Sequence, residues 1–119
     1  METTQQFSLH PEGSLAQAMD GLWTRFLPEI RSRIVTLEAA AASTMAQTLG
    51  ATERAAAVSA AHKLAGVLGT FGLTRGTELA RQMELAFADR CVPDAEAGAQ
   101  FASMAAELRS MVDGRKPTA

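Results

Sequence analysis

Ala61-His62-Lys63-Leu64-Ala65-Gly66-Val67-Leu68-Gly69-Thr70-Phe71-Gly72 is the stretch on which the fold turns. With Ala57 ahead of it, the apolar residues Ala57, Ala61, Leu64, Leu68 and Phe71 follow one another in steps of three and four, the period of one helix face. Gly72 is a stop signal, so the spacing predicts a helix from about Thr52 to Thr70 with Gly72 in the turn after it. Successive helical residues lie about 100° apart. With His62 as zero, those apolar residues fall roughly 180–260° around and mark the core side. Ala55, Gly66 and Gly69 lie within roughly 40° of His62, and Ser59 is only slightly farther. His62 therefore stands on a face of very small side chains, turned away from the core. Burying a histidine requires partners for both ring nitrogens, whereas exposing one amid glycine and alanine leaves room for another protein. Each glycine inside a helix costs about 1 kcal/mol relative to alanine. Two of them beside a histidine suit a close approach by a partner's backbone.

Outward from this helix the pattern stays helical. Upstream, a periodic run extends from Ser14, an N-cap by residue type, to about Thr48, with Phe26, Ile30, Ile34, Leu37, Ala41 and Met45 as its stripe. Gly21 and Pro28 interrupt it. Proline removes one backbone hydrogen bond, which predicts a kink or a break into two helices there. Leu49-Gly50 ends the run and Thr52 is in position to cap the next helix. Downstream, Thr74 caps a third helix to about Arg90 that carries Leu79, Met83, Ala86 and Phe87 inward. Val92-Pro93-Asp94 reads as a turn and a start signal. The last helix reaches about Asp113, with Phe101, Met104, Ala105, Leu108 and Met111 inward and Gly114 at its end. Short connections between long amphipathic helices force antiparallel neighbours. The expected fold is all-α, an antiparallel up-down four-helix bundle with an additional N-terminal helical segment. Residues 1–13 read as a flexible arm, 14–113 as the bundle and 114–119 as a basic tail.

Composition agrees with this. The 119 residues suit one domain; 47% are hydrophobic but only 5% aromatic, with no tyrosine. Strand formers are sparse and helix formers abundant. A net charge of -2 without a basic stripe argues against nucleic-acid binding. The single cysteine, Cys91, has no internal partner and suits a reducing compartment. Met1-Glu2-Thr3-Thr4-Gln5-Gln6 lacks the pattern of a signal peptide, and no apolar stretch is long enough for a bilayer. The expectation is a soluble cytoplasmic domain.

Other chemistries find little support. Metal sites need three or four converging ligands, and the nitrogen and sulfur donors His10, His62 and Cys91 are scattered, so no metal is expected. Cys91 lies in a turn with no activating neighbour and reads as a buried or incidental thiol. No glycine-rich loop follows a strand, so nucleotide binding has no basis. Trp23, Phe26 and the six methionines read as core and gap filling. Glu29, Arg31, Arg33 and Glu38 read as a solvated face. On geometry alone the His62 face is a docking surface, such as a helical protein-interaction module would use. An enzyme built on His62 lacks a partner constellation.

Ala61-His62-Lys63-Leu64-Ala65-Gly66, then Gly69, Phe71-Gly72-Leu73, Leu79 and Met83-Glu84, resembles the signature of histidine-containing phosphotransfer (HPt) domains. That pattern is a histidine, an apolar residue two on, glycine four on, a second glycine ten on, and a leucine-acidic pair closing the next helix. The likeness spans residues 14–113 as architecture and residues 61–84 as motif. It implies a phosphocarrier of a multistep phosphorelay, not an autonomous kinase. His62 would accept a phosphoryl group from an aspartyl phosphate on a response-regulator receiver domain and pass it to another receiver.

The resemblance also implies that Glu84 faces His62 from the following helix and accepts a hydrogen bond from Nδ1–H, leaving Nε2 free to attack. The docking surface it implies is Ala55, Val58, Ser59, Lys63, Gly66 and Gly69. Receiver domains and a hybrid histidine kinase are the expected partners, with Mg²⁺ carried by the receiver and no cofactor on this chain. The chain is expected to act as a monomer, away from membranes and nucleic acid. One position departs from the family: many members carry lysine three residues after the histidine, where this chain has Ala65. Lys63, Arg75 and Arg81 are the cations left to reach toward a phosphate or a receiver. The segment ahead of His62 is longer than in compact members, which implies a taller first hairpin.

Overall fold

The computed structural model describes residues 11–89 and 94–117. They form four helices, α1 (Pro11–Met45), α2 (Ala51–Thr70), α3 (Thr74–Ala88) and α4 (Ala95–Asp113), and no strand occurs among the described residues. The molecule is a rod of 63 × 21 × 20 Å. α2 packs most extensively along α3 and α1 along α4, giving two antiparallel pairs laid on one another. Ile30, Ile34, Leu37, Ala57, Ala61, Leu64, Leu68, Leu79, Met83, Phe87, Ala105 and Leu108 close the core between them. Burying each of the larger side chains contributes about 1.5–3 kcal/mol.

The first helix corrects the sequence reading in three ways. It begins at Pro11, with Ser14 already inside it. Pro28 does not divide it: one helix runs through all 35 residues, and the N-terminal segment expected ahead of the bundle is the first part of α1 itself. Pro28 is exposed, so the carbonyl deprived of its N–H partner lies on the solvent side, where water can satisfy it. Lastly, the stripe thins at both ends. Phe26 and Met45 are 38% and 47% exposed, because Phe26 leans edge-on against Phe71 at the bundle's rim and Met45 is the final helical residue.

Two caps also differ. Gly50 and Leu73, not Thr52 and Thr74, precede α2 and α3, and neither start has a side-chain cap. Asp94 does cap α4, accepting from the Ala97 amide at 2.8 Å. Gly72 makes the α2–α3 turn at φ +73°, a left-handed conformation that favours glycine.

Charged side chains thought to be merely solvated tie α1 to α4. Arg109 donates two 2.7 Å hydrogen bonds to Glu38, and Arg31 pairs with Asp113 at 3.2 Å. Arg115, in the segment read as a tail, is fixed. Its guanidinium lies 4.8 Å from the Trp23 ring centre and 5.5 Å from that of Phe71, and it reaches Asp20 at 3.4 Å. Trp23 and Phe71 meet edge to face at 5.1 Å. This cluster locks the start of the bundle to the α2–α3 turn.

Candidate functional site

His62 sits midway along α2. Ala57, Ala61, Leu64 and Leu68 are fully buried behind it, which turns the imidazole outward and leaves 74% of its side chain exposed. On α3, Met83 and Phe87 point into the core on either side of Glu84 and hold that carboxylate at the helix–helix seam, 27% exposed. Across the seam, His62 Nδ1 lies 2.9 Å from Glu84 Oε2. A carboxylate only accepts, so in this pairing Nδ1 carries the proton. Nε2 is then the ring nitrogen with a free lone pair, and it belongs to the open side of the ring.

Beside this pair runs an open groove of about 600 Å³ between the start of α2 and the end of α3. Of the residues singled out in the sequence, Ala55, Val58, Ser59, His62 and Glu84 line it. Val58 is half-buried against the core, while Ala55 and Ser59 are exposed. Lys63, Gly66 and Gly69 lie outside the groove, exposed on α2 beside and below His62. A Cβ built on Gly66 would meet nothing within 4 Å, and one on Gly69 would make ordinary contact with Thr77 Oγ1 at 3.5 Å. The packing within this chain does not demand either glycine.

The sequence reading missed the upper end of the groove, formed by Leu49, Gly50, Arg54 and Ala88. Arg54 donates to the carbonyl of Asp89 at 3.0 Å, tying α2 to the end of α3. The available signal was spacing, since Ala88 follows Glu84 by one turn and shares its face. Ala65, where family members often carry lysine, is 5% exposed, and its carbonyl accepts from Thr77 Oγ1 at 3.3 Å. Arg75 is held by Glu107 at 3.0 Å and is not brought to the histidine. His10 and Cys91 lie outside the described residues. Among the described residues no group of histidine, cysteine, aspartate or glutamate is placed to hold a metal ion, and no helix is long and apolar enough to cross a membrane.

An exposed histidine braced by a carboxylate at the seam of a four-helix bundle, with a groove alongside, is the arrangement these helices build. The family model of the Hpt domain matches residues 21–115. The chain belongs to the Hpt domain family, whose members serve phosphotransfer in phosphorelays through receiver domains. No curated protein and no solved structure matches it.

Proposed function

We propose that His62 is the phosphoacceptor of this Hpt domain and that Glu84 orients its ring. The observation that carries this reading is the 2.9 Å contact between His62 Nδ1 and Glu84 Oε2 on a ring otherwise open to solvent. With the proton held at Nδ1, Nε2 attacks the phosphorus of a receiver's aspartyl phosphate. The Nε2–P bond forms, the P–O bond to the aspartate breaks, and that carboxylate leaves. Transfer to a second receiver is the same step reversed. Phosphoryl transfer is mostly positioning and charge neutralisation, so the chain contributes a poised nucleophile and a docking face, while the receiver brings Mg²⁺. The receiver seats on Ala55, Val58, Ser59, Gly66 and Gly69, with Lys63 meeting its acidic side chains. The chain works as a cytoplasmic monomer between a hybrid kinase and its receivers.

Mixing the protein with a phosphorylated receiver tests this. Wild type acquires an acid-labile, base-stable label, and His62→Gln does not. Stable binding of the receiver without any label would make the same face a docking module instead.

A further inference from the structure

We propose that Arg81 is the cation that faces the phosphoryl group on His62, an inference that rests on His62 being the acceptor. A phosphoryl group brings about −1.5 to −2 charge to a nitrogen whose nearest described charged partner, Glu84, is itself an acid. Something positive has to offset that repulsion.

The register of α2 against α3 selects the residue. His62 faces Glu84, and seven residues further along α2, Gly69 faces Thr77, seven residues back along α3. The same antiparallel register sets Arg81 level with Ala65, one turn from Glu84. Ala65 places only a buried methyl there. Arg81 is exposed, and among the described residues it has no hydrogen-bond or ion-pair partner.

Of the other cations, Arg54 lines the groove with His62, but its guanidinium is engaged by the Asp89 carbonyl. Arg75 is held by Glu107 and Glu78, and Arg31, Arg109 and Arg115 are paired with α1 or α4 carboxylates. Lys63 lies roughly 100° around α2 from His62, on the side away from α3. Packed helix axes lie about 8–10 Å apart and one turn rises about 5.4 Å, a gap that an arginine side chain spans. A guanidinium fork also matches phosphate oxygens in pairs.

The test uses the full chain and potassium phosphoramidate, a small anionic donor. Its P–N bond breaks as the Nε2–P bond forms, and ammonia leaves. Arg81→Ala is expected to take up phosphate about three- to tenfold more slowly, with Arg81→Lys within about twofold of wild type. Thermal melting followed by circular dichroism should be unchanged, as should uptake by Lys116→Ala, a distant exposed control. Should Arg81→Ala lose structure, Arg81→Gln keeps the side-chain stem and is expected to show the same slowing. Uptake by the Arg81 variants at the wild-type rate overturns the proposal, and so does slowing by Lys63→Ala in their place. A wild type that accepts phosphate neither from phosphoramidate nor from a phosphorylated receiver defeats the acceptor role of His62, and Arg81 with it.

Discussion

His62 and Glu84 meet across the α2–α3 seam, Nδ1 to Oε2, at 2.9 Å, while most of the imidazole stays open. The two residues come from different helices, so the tautomer of the imidazole depends on tertiary packing. Removing the acceptor frees the ring to rotate and to exchange tautomers. Glu84→Ala should slow phosphoryl transfer about five- to tenfold, the equivalent of the ~1–1.5 kcal/mol of one hydrogen bond. The imidazole ¹⁵N shifts, which in wild type should report a protonated Nδ1, should move toward a mixture. Unchanged shifts and rate would remove Glu84 from the mechanism.

Gly66 separates docking from folding. The space where its side chain would stand is empty, and replacing a helical glycine by arginine gains roughly 0.8 kcal/mol of helix propensity. Gly66→Arg is therefore expected to keep the helical circular dichroism signal and melt no lower than wild type. It should nonetheless block transfer from a receiver, because the new side chain occupies the proposed docking surface. Loss of the fold would mean that Gly66 serves packing.

Arg115 offers a test of the fold away from the site. Its side chain is 9% exposed and stacked over the chain's single tryptophan. Cation–π contacts of this kind are worth about 1–2 kcal/mol when partly desolvated. Arg115→Ala should lower stability by about that amount and shift Trp23 fluorescence, with phosphoryl transfer retained. An unmoved Trp23 emission would show that the cluster does not form.

Acid should weaken the α1–α4 pairing. The hydrogen bonds from Arg109 hold the Glu38 carboxyl below its ordinary value of 4.5. A carboxylate whose pKa is depressed on folding adds stability above its unfolded pKa, and loses it as pH falls through the folded value. Both side chains are 37% exposed, so solvent screening limits the effect to about 1 kcal/mol or less. Wild type should lose that increment below about pH 4.5, whereas Glu38→Gln should already lack it at pH 7. Parallel stability curves for the two proteins would contradict the ion pair.

What was legible in the sequence was what helical period and a two-helix motif encode. The buried stripe Ile30, Ile34, Leu37 and Ala41, the outward turn of His62 and the left-handed Gly72 all follow from local spacing. Features set by contacts distant in sequence were not visible. Arg115 reads as a tail residue until Trp23 and Phe71 are brought beside it, more than forty positions away. Gly98 passes as one more small helical residue, yet a Cβ there would run into the Met45 backbone. The helix through Pro28 was misread because proline's local penalty was weighed without the packing on either side of it. At the site, the sequence indicated Glu84 through its family motif, but the place of Arg81 opposite Ala65 needed the register of the helix pair.

The most direct test of the acceptor is a ³¹P–¹⁵N correlation spectrum of ¹⁵N-labelled protein loaded from a receiver's aspartyl phosphate. One phosphorus signal coupled to Nε2 of His62, and absent from His62→Gln, is the result expected. Coupling to another residue, persistence of the signal in His62→Gln, or no phosphorus signal on wild type would contradict the assignment of His62 as the relay point.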